Sequence, residues 1–281
     1  MKTIGFVDFY IDEWHANNYP AWIEETCKKT GADFKIAYAW AESDRPPEGG
    51  LSTAEWCDKF GVKKCDTVEE LCEKSDYILV LAPSDPEKHL AYAEKVLRYG
   101  KRTYIDKTFA PDYATAKKIF DLAEKYNAPF FSSSALRYAD ELNGLTAQSV
   151  MTTGGGRSLE EYIIHQAEMV VKVLGTGAFG VRVDRRGGQC YCHVEYPDGR
   201  AAVMVYADGL PFTVYAEKEG GETAYLPVVS DYFKNLIADI LHFYATGEKS
   251  FSGEETLEVM KVREAAVRGE KEPGRRIDVA K

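Results

Sequence analysis

The residues Tyr77-Ile78-Leu79-Val80-Leu81 are apolar at every position and are bounded by Asp76 and Pro83. A strand that does not alternate must be covered on both faces, as a central strand of a parallel sheet is. Residues 3–7 and 33–40 read as further strands, and residues 13–29 between them can form a helix, with Pro20 marking a kink or an early turn. Ser52-Thr53-Ala54-Glu55 and Thr67-Val68-Glu69-Glu70 carry the capping-box pattern, so each opens a helix. Leu90, Ala93, Val96 and Leu97 form an apolar stripe that stops at Gly100, the residue type expected just past a helix end. Residues 102–105 give a strand, Tyr113, Ala116, Phe120 and Ala123 keep helical spacing, and residues 129–133 close the series as a sixth strand. Strands alternating with helices imply βαβ units and right-handed crossovers. The expectation is an α/β chain whose first domain, residues 1–135, is a doubly wound, Rossmann-like parallel sheet.

From about Leu136 the pattern changes. Residues 180–228 hold alternating runs separated by Arg186-Gly187-Gly188, Pro197-Asp198-Gly199, Asp208-Gly209 and Glu219-Gly220-Gly221, the signals of antiparallel strands. Two helices follow, one with Phe233, Leu236, Ile237, Ile240, Leu241 and Tyr244 on its apolar face, the other capped at Ser252-Gly253-Glu254-Glu255. Residues 136–281 are therefore expected to form an α+β domain with an antiparallel sheet. In the strand around residue 193, Tyr191, His193 and Glu195 share one side, and Cys190, Cys192, Val194 and Tyr196 the other. The side away from the helices is either solvated or a sheet-to-sheet dimer interface. Gly154-Gly155-Gly156 reads as a flexible connection.

The 281 residues carry a net charge of −10, which argues against nucleic acid and anionic membrane surfaces as partners. No stretch is apolar enough to span a bilayer, and Met1-Lys2-Thr3-Ile4-Gly5 enters a strand at once, so the expected location is the cytoplasm. The six cysteines show no zinc-like pairing and read as buried free thiols, with no metal site expected.

Two places carry chemistry. Asp106-Lys107 stands where a strand should stop, and ligands of open parallel sheets bind at strand carboxyl ends. A surface Lys–Asp pair and a ligand-touching lysine both fit that position. Glu161, His165 and Glu168 stand at i, i+4 and i+7 of a helix, so one face carries all three. A carboxylate one turn from an imidazole can orient it for proton transfer. The stretch after the first strand, Asp8-Phe9-Tyr10-Ile11-Asp12-Glu13, lacks the glycines of a dinucleotide fingerprint and carries three carboxylates. One carboxylate about 4 Å from a phosphate costs roughly 4 kcal/mol at an effective dielectric of about 20, about a thousandfold in affinity. The acid expected at the second strand's end falls near Trp40, with Glu42, Asp44 and Arg45 close by, which leaves NAD and NADP both open.

With both halves read, the chain resembles the glucose–fructose oxidoreductase and inositol dehydrogenase family (Gfo/Idh/MocA). The residues that carry this are Tyr77 to Pro83 with His89 after it, Gly100-Lys101 leading to Asp106-Lys107-Thr108, Arg137, and Glu161, His165, Glu168 and Gly175, with Ser252 to Ala266 similar to a late helix. The chain departs from the family in its missing glycines and in a shorter stretch between Arg137 and His165. The resemblance implies an NAD- or NADP-dependent dehydrogenase acting on a hydroxyl carbon of a sugar, cyclitol or small polyol. It implies Lys107, His165 and Glu161 as catalytic residues, and Arg137 and Glu168 as substrate contacts. Cofactor contacts would come from Asp8, Phe9, Tyr10, Trp40, Pro83, His89, Asp106 and Lys107. It also implies a homodimer or larger homo-oligomer built on the open sheet face, using Tyr191 and Tyr196. The alternative is a member that has lost ordinary dinucleotide binding and serves as a ligand-binding or partner subunit.

Overall fold

The structure, a computed structural model, describes residues 1–279. Up to Ser132 strands and helices alternate: β1 (Lys2–Asp8), α1 (Trp14–Thr30), β2 (Phe34–Ala41), α2 (Thr53–Phe60), β3 (Lys63–Lys64), α3 (Val68–Lys74), β4 (Tyr77–Val80), α4 (His89–Val96), β5 (Thr103–Ile105), α5 (Tyr113–Lys125) and β6 (Phe130–Phe131). The six strands are all parallel, in the order β3-β2-β1-β4-β5-β6. β1 and β4 are the core of this sheet, and Ile4, Phe6, Val7, Ile78, Leu79 and Val80 are all fully buried. The strand order reverses at β1 and β4, which makes their carboxyl ends the place where such a sheet receives a ligand. The helices start where their caps dictate. Ser52 and Glu55 form both arms of a capping box, whereas Thr67 caps Glu70 and the Glu70 side chain turns to the Asp66 N–H.

The chain continues with β7 (Ser149–Gly154), α6 (Leu159–Leu174), β8 (Gly180–Arg186), β9 (Gln189–Glu195), β10 (Ala201–Tyr206), β11 (Thr213–Glu217), β12 (Thr223–Pro227), α7 (Tyr232–Thr246), α8 (Gly253–Lys271) and β13 (Arg276–Asp278). The seven strands form one sheet in the order β12-β11-β7-β10-β9-β8-β13. It is mixed: β7 runs parallel to β10, and the other pairs are antiparallel. The strand β7, and with it the parallel pairing, is an addition to the expected antiparallel sheet. Cys190, Cys192 and Val194 point into the core under α6 and α8, and Tyr191, His193 and Glu195 point to the half-exposed face. Across that face the register aligns Arg182, His193, Val203, Met151, Tyr215 and Tyr225 in one row. Tyr196 contributes nothing there, because it is buried and its hydroxyl donates to the Gly175 carbonyl at 3.3 Å.

Two compact units result. One comprises residues 1–132 and 236–250, and the other residues 133–235 and 251–281. Most of α7 therefore belongs to the first unit, away from the second sheet that sequence position alone suggested for it. Its Tyr244 stacks on Tyr77 with centroids 4.7 Å apart and donates its hydroxyl to the Ile78 carbonyl at 2.6 Å. Its Phe243 meets Phe131 edge-on at 5.1 Å. The aromatic face of α7 covers the β4–β5–β6 side of the parallel sheet, which two-residue β6 and three-residue β5 are too short to cover themselves.

The glycine triplet is not a loose linker. Gly154 ends β7, and a Cβ on it would lie 2.4 Å from the Phe212 ring; one on Gly156 would lie 2.3 Å from the Tyr162 ring. A Cβ on Gly155 would lie 1.7 Å from the Ala207 carbonyl oxygen. Only residues without a side chain admit that approach.

Candidate functional site

In the first unit the ligand-receiving strand ends are closed by their own side chains. Asp8, the last residue of β1, is buried, and its Oδ1 accepts from the Phe9 N–H at 2.7 Å and the Ala82 N–H at 2.9 Å. Asp8 thus ties β1 to the end of β4, where Ala82 takes a left-handed backbone with φ 60°. A non-glycine residue there costs on the order of 1–2 kcal/mol. The second Asp8 oxygen, Oδ2, is buried with no hydrogen-bond partner. Burial, then the nearby Glu13 charge, push the Asp8 carboxyl well above the usual carboxylate range. The expectation that Asp8 faces a phosphate is therefore replaced: it faces inward and holds backbone.

The start of α1 is occupied by Glu13. Its carboxylate accepts from the His15 N–H at 2.8 Å and from the Ala16 N–H, and lies 3.1 Å from His15 Nδ1. The other ring nitrogen of His15 is 3.7 Å from Asp106 Oδ2. Asp106 is buried as well and accepts from the Tyr104 hydroxyl at 3.1 Å. Asp12 takes the Asn17 amide at 2.8 Å and the Leu51 N–H at 2.7 Å. Glu13 and Asp106 so flank a buried imidazole. Glu13 and His15 were not among the expected site residues. The signal was an acid immediately before the first helical residue, the position that caps.

The other expected cofactor contacts divide. Lys107 Nζ donates to the Pro83 carbonyl at 3.2 Å, at the carboxyl ends of β5 and β4. The Lys107–Thr108 peptide is cis. His89 is fully buried, with Nδ1 3.0 Å from the Phe109 carbonyl and Nε2 2.6 Å from that of Leu81, so it joins backbone to backbone. Burial holds its pKa below the usual histidine value despite both carbonyls. Phe9 and Tyr10 are half-buried, with Lys88 Nζ 4.4 Å from the Phe9 ring centroid. Trp40 packs edge-on against Tyr92 at 6.0 Å. Glu42, directly after β2, accepts from Lys88 at 2.6 Å and from the Tyr92 hydroxyl at 2.8 Å.

These residues do not fit the pyrophosphate of an ordinarily bound dinucleotide. That group needs free N–H groups at the helix start and a backbone it can approach. Here the Glu13 carboxylate takes the N–H groups of His15 and Ala16, and Asp8 takes those of Phe9 and Ala82.

The second unit arranges its ionisable groups differently. His165 lies in the second turn of α6, 8 % exposed, between the rings of Tyr162 and Phe212 at 5.5 and 5.7 Å. These are the rings that Gly156 and Gly154 admit. Its Nδ1 is 2.6 Å from Ser134 Oγ, which also accepts from the Leu136 N–H at 3.2 Å. The Ser134 hydroxyl retains one proton and one lone pair for Nδ1, so the same contact serves imidazole and imidazolium. Sequence reading missed Ser134, which lies 31 residues from His165 and belongs to no motif. Glu161 forms an ion pair with Arg157.

Arg137 and Glu168, the expected substrate contacts, are both buried and engage each other, Nη1 to Oε2 at 3.1 Å. Glu168 also accepts from the Ser134 N–H at 3.0 Å, and Arg137 pairs with Glu255 and lies over the Phe251 ring at 3.9 Å. Burial raises the Glu168 pKa although Arg137 opposes it. Both residues thus act as internal supports of the segment that presents Ser134. Gln166 fixes the helix to the sheet through Thr152 at 2.8 Å and the carbonyls of Gly154 and Val205 at 3.1 and 3.0 Å.

Among the described residues no group of three or more His, Cys, Asp or Glu side chains is arranged to hold a metal ion. None of their helices is long and apolar enough to cross a membrane. All six cysteines are free, and burial pushes the thiols of Cys57 and Cys65 up to about 11 and that of Cys72 up to about 12.

A Rossmann-like parallel sheet is followed by a mixed sheet with helices on one face. Residues 44–133 match the model of the family described as an oxidoreductase family with an NAD-binding Rossmann fold, that of the Gfo/Idh/MocA proteins. That match covers about a third of the chain and falls on the family resemblance read from the sequence. The match begins after the β1–α1 junction. Solved structures share the fold at low identity. A probable dehydrogenase from Thermotoga maritima superposes with a TM-score of 0.77 at 14% identity, over 98% of each chain. A myo-inositol dehydrogenase from Lactobacillus casei, in complex with NAD(H) and myo-inositol, gives 0.80 at 12% identity, over 100% of this chain and 97% of that one. A UDP-N-acetylglucosamine 3-dehydrogenase from Acidithiobacillus ferrooxidans gives 0.76 at 12% identity, over 97% of each. No curated protein matches the sequence.

Proposed function

We propose that the chain acts on a hydroxyl-bearing carbon of a sugar, cyclitol or related polyol, as a dehydrogenase of the nicotinamide-dependent class. The observation that carries this reading is the buried Ser134–His165 contact on a helix braced by Arg137 and Glu168. A buried imidazole whose rear nitrogen is held by a hydroxyl can give or take a proton at its front nitrogen without reorienting. His165 is assigned to move the proton of the substrate hydroxyl, Glu161 to set the electrostatics of the first turn of α6, and Lys107 to hold the hydroxyl oxygen. Arg137 and Glu168 are assigned no substrate contact. NAD and NADP remain equal candidates, since Glu42 is engaged by Lys88.

Turnover with a panel of polyols and either nicotinamide cofactor tests this. His165→Ala and Lys107→Ala should each remove most of it. Full activity in either variant defeats the reading. A second reading, a ligand-binding or partner subunit without ordinary dinucleotide binding, is favoured by the Glu13 cap. Under it the same variants change polyol affinity and there is no rate to lose.

The reading also includes a homo-oligomer on the open sheet face, where Met151 is 42% and Tyr225 64% exposed. Light scattering of the wild type and of Tyr225→Arg checks it. A monomeric mass at micromolar wild-type protein is the contrary outcome.

A further inference from the structure

We infer that Glu13 is an internal anion standing where a dinucleotide's pyrophosphate would bind, and that it is the residue that keeps the pyrophosphate from α1. This concerns binding alone and goes beyond the proposed reaction. A helix start attracts an anion through its first free N–H groups. In α1 the N–H groups of His15 and Ala16 already donate to the two oxygens of Glu13, and that carboxylate also meets the His15 ring at 3.1 Å.

The surroundings reinforce the exclusion. The Phe9 and Ala82 N–H groups donate to Asp8, and the Leu51 N–H donates to Asp12. Asp8 Oδ2 and Asp106 Oδ2 are buried without hydrogen-bond partners, so neither residue offers a free N–H or O–H at the surface to an arriving phosphate. A tethered carboxylate also competes at the high effective concentration of an intramolecular group, in the millimolar range or above. Of these acids Glu13 is the one whose partners are the helix N–H groups. Asp8 ties strands together, and its loss would disturb the fold instead of opening it.

Calorimetric titration of ADP-ribose and of NADH into the wild type, Glu13→Ser and Glu13→Gln tests the inference. Serine keeps a capping oxygen while shortening the side chain, and glutamine keeps the length while removing the charge. Glu13→Ser should bind ADP-ribose at least tenfold more tightly than the wild type, with Glu13→Gln in between. Equal or weaker binding by a folded Glu13→Ser, melting cooperatively, overturns it. Should that variant not fold, Glu13→Gln decides alone, tighter binding supporting the inference and unchanged binding overturning it. ADP-ribose lacks the nicotinamide, so a chain without dehydrogenase activity leaves these outcomes readable.

Discussion

The helices α1 and α6 begin alike and serve different ends. Each starts at an oxygen-bearing cap, Glu13 for α1 and Ser158 for α6. In α1 the cap is a full negative charge, and it uses the helix start for the protein's own stability. In α6 the cap is neutral, and the ionisable group of interest, His165, sits in the second turn, held by a serine from another segment. The first helix start has been turned inward and the second keeps a reactive group in position. A fold is kept by its apolar pattern, while its chemistry rests on a few polar side chains that change independently.

Three substitutions sharpen or break this contrast. The largest effect is expected of Arg137→Ala, which strands the buried Glu168 carboxylate. Removing one partner of a buried pair costs about 3–5 kcal/mol, to be read as a lowered urea midpoint. A loss below about 1 kcal/mol would mean that α6 does not depend on this brace. Next is Ser134→Ala, which leaves His165 Nδ1 without its hydroxyl. We expect turnover to fall about tenfold to a hundredfold, on the order of 1–3 kcal/mol in the barrier, with stability lowered by only about 1 kcal/mol. The pH–rate profile should move as well, since the imidazole loses a contact that serves both protonation states.

The smallest effect is expected of Asp8→Asn. The folded pKa of Asp8 lies above the ordinary 3.8, so across that window the folded chain binds more protons than the unfolded one. Stability from this group therefore falls as pH rises from about 4 through the raised value. Asparagine has no such slope, so its advantage over the wild type should grow with pH, reaching on the order of 1 kcal/mol, roughly 2–4 °C in Tm. An advantage that shrinks as pH rises would contradict an inward, proton-bearing Asp8.

Much of the fold was legible because its signals are local. Apolar runs without alternation located β1 and β4, and caps at Ser52, Thr67 and Ser252 located helix starts within a residue. What escaped was short or nonlocal. The two lysines of β3 carry no strand pattern, and β7 was hidden by the glycine triplet at its end. The parallel pairing of β7 with β10 depends on residues about fifty positions apart. At the candidate site the positions of Lys107 and His165 were legible from spacing, whereas Ser134 and the inward turn of Asp8 were not. Side-chain direction at a strand end depends on which backbone N–H groups the neighbouring strand leaves open. That information lies in the pairing of β1 with β4, and no stretch of sequence contains it.

The return of α7 to the first unit bears on how the chain is made. A ribosome releases residues 1–132 long before it releases 236–250, so the parallel sheet emerges without the aromatic face that Phe243 and Tyr244 later lay against it. The interval is roughly 100 residues, or about 5–20 seconds at about 5–20 residues per second. Throughout it Tyr77 and Phe131 keep their ring contacts with Phe34 and Tyr104 but lack those with Tyr244 and Phe243. A message stalled before codon 236 would therefore release a product that cannot complete its own first unit.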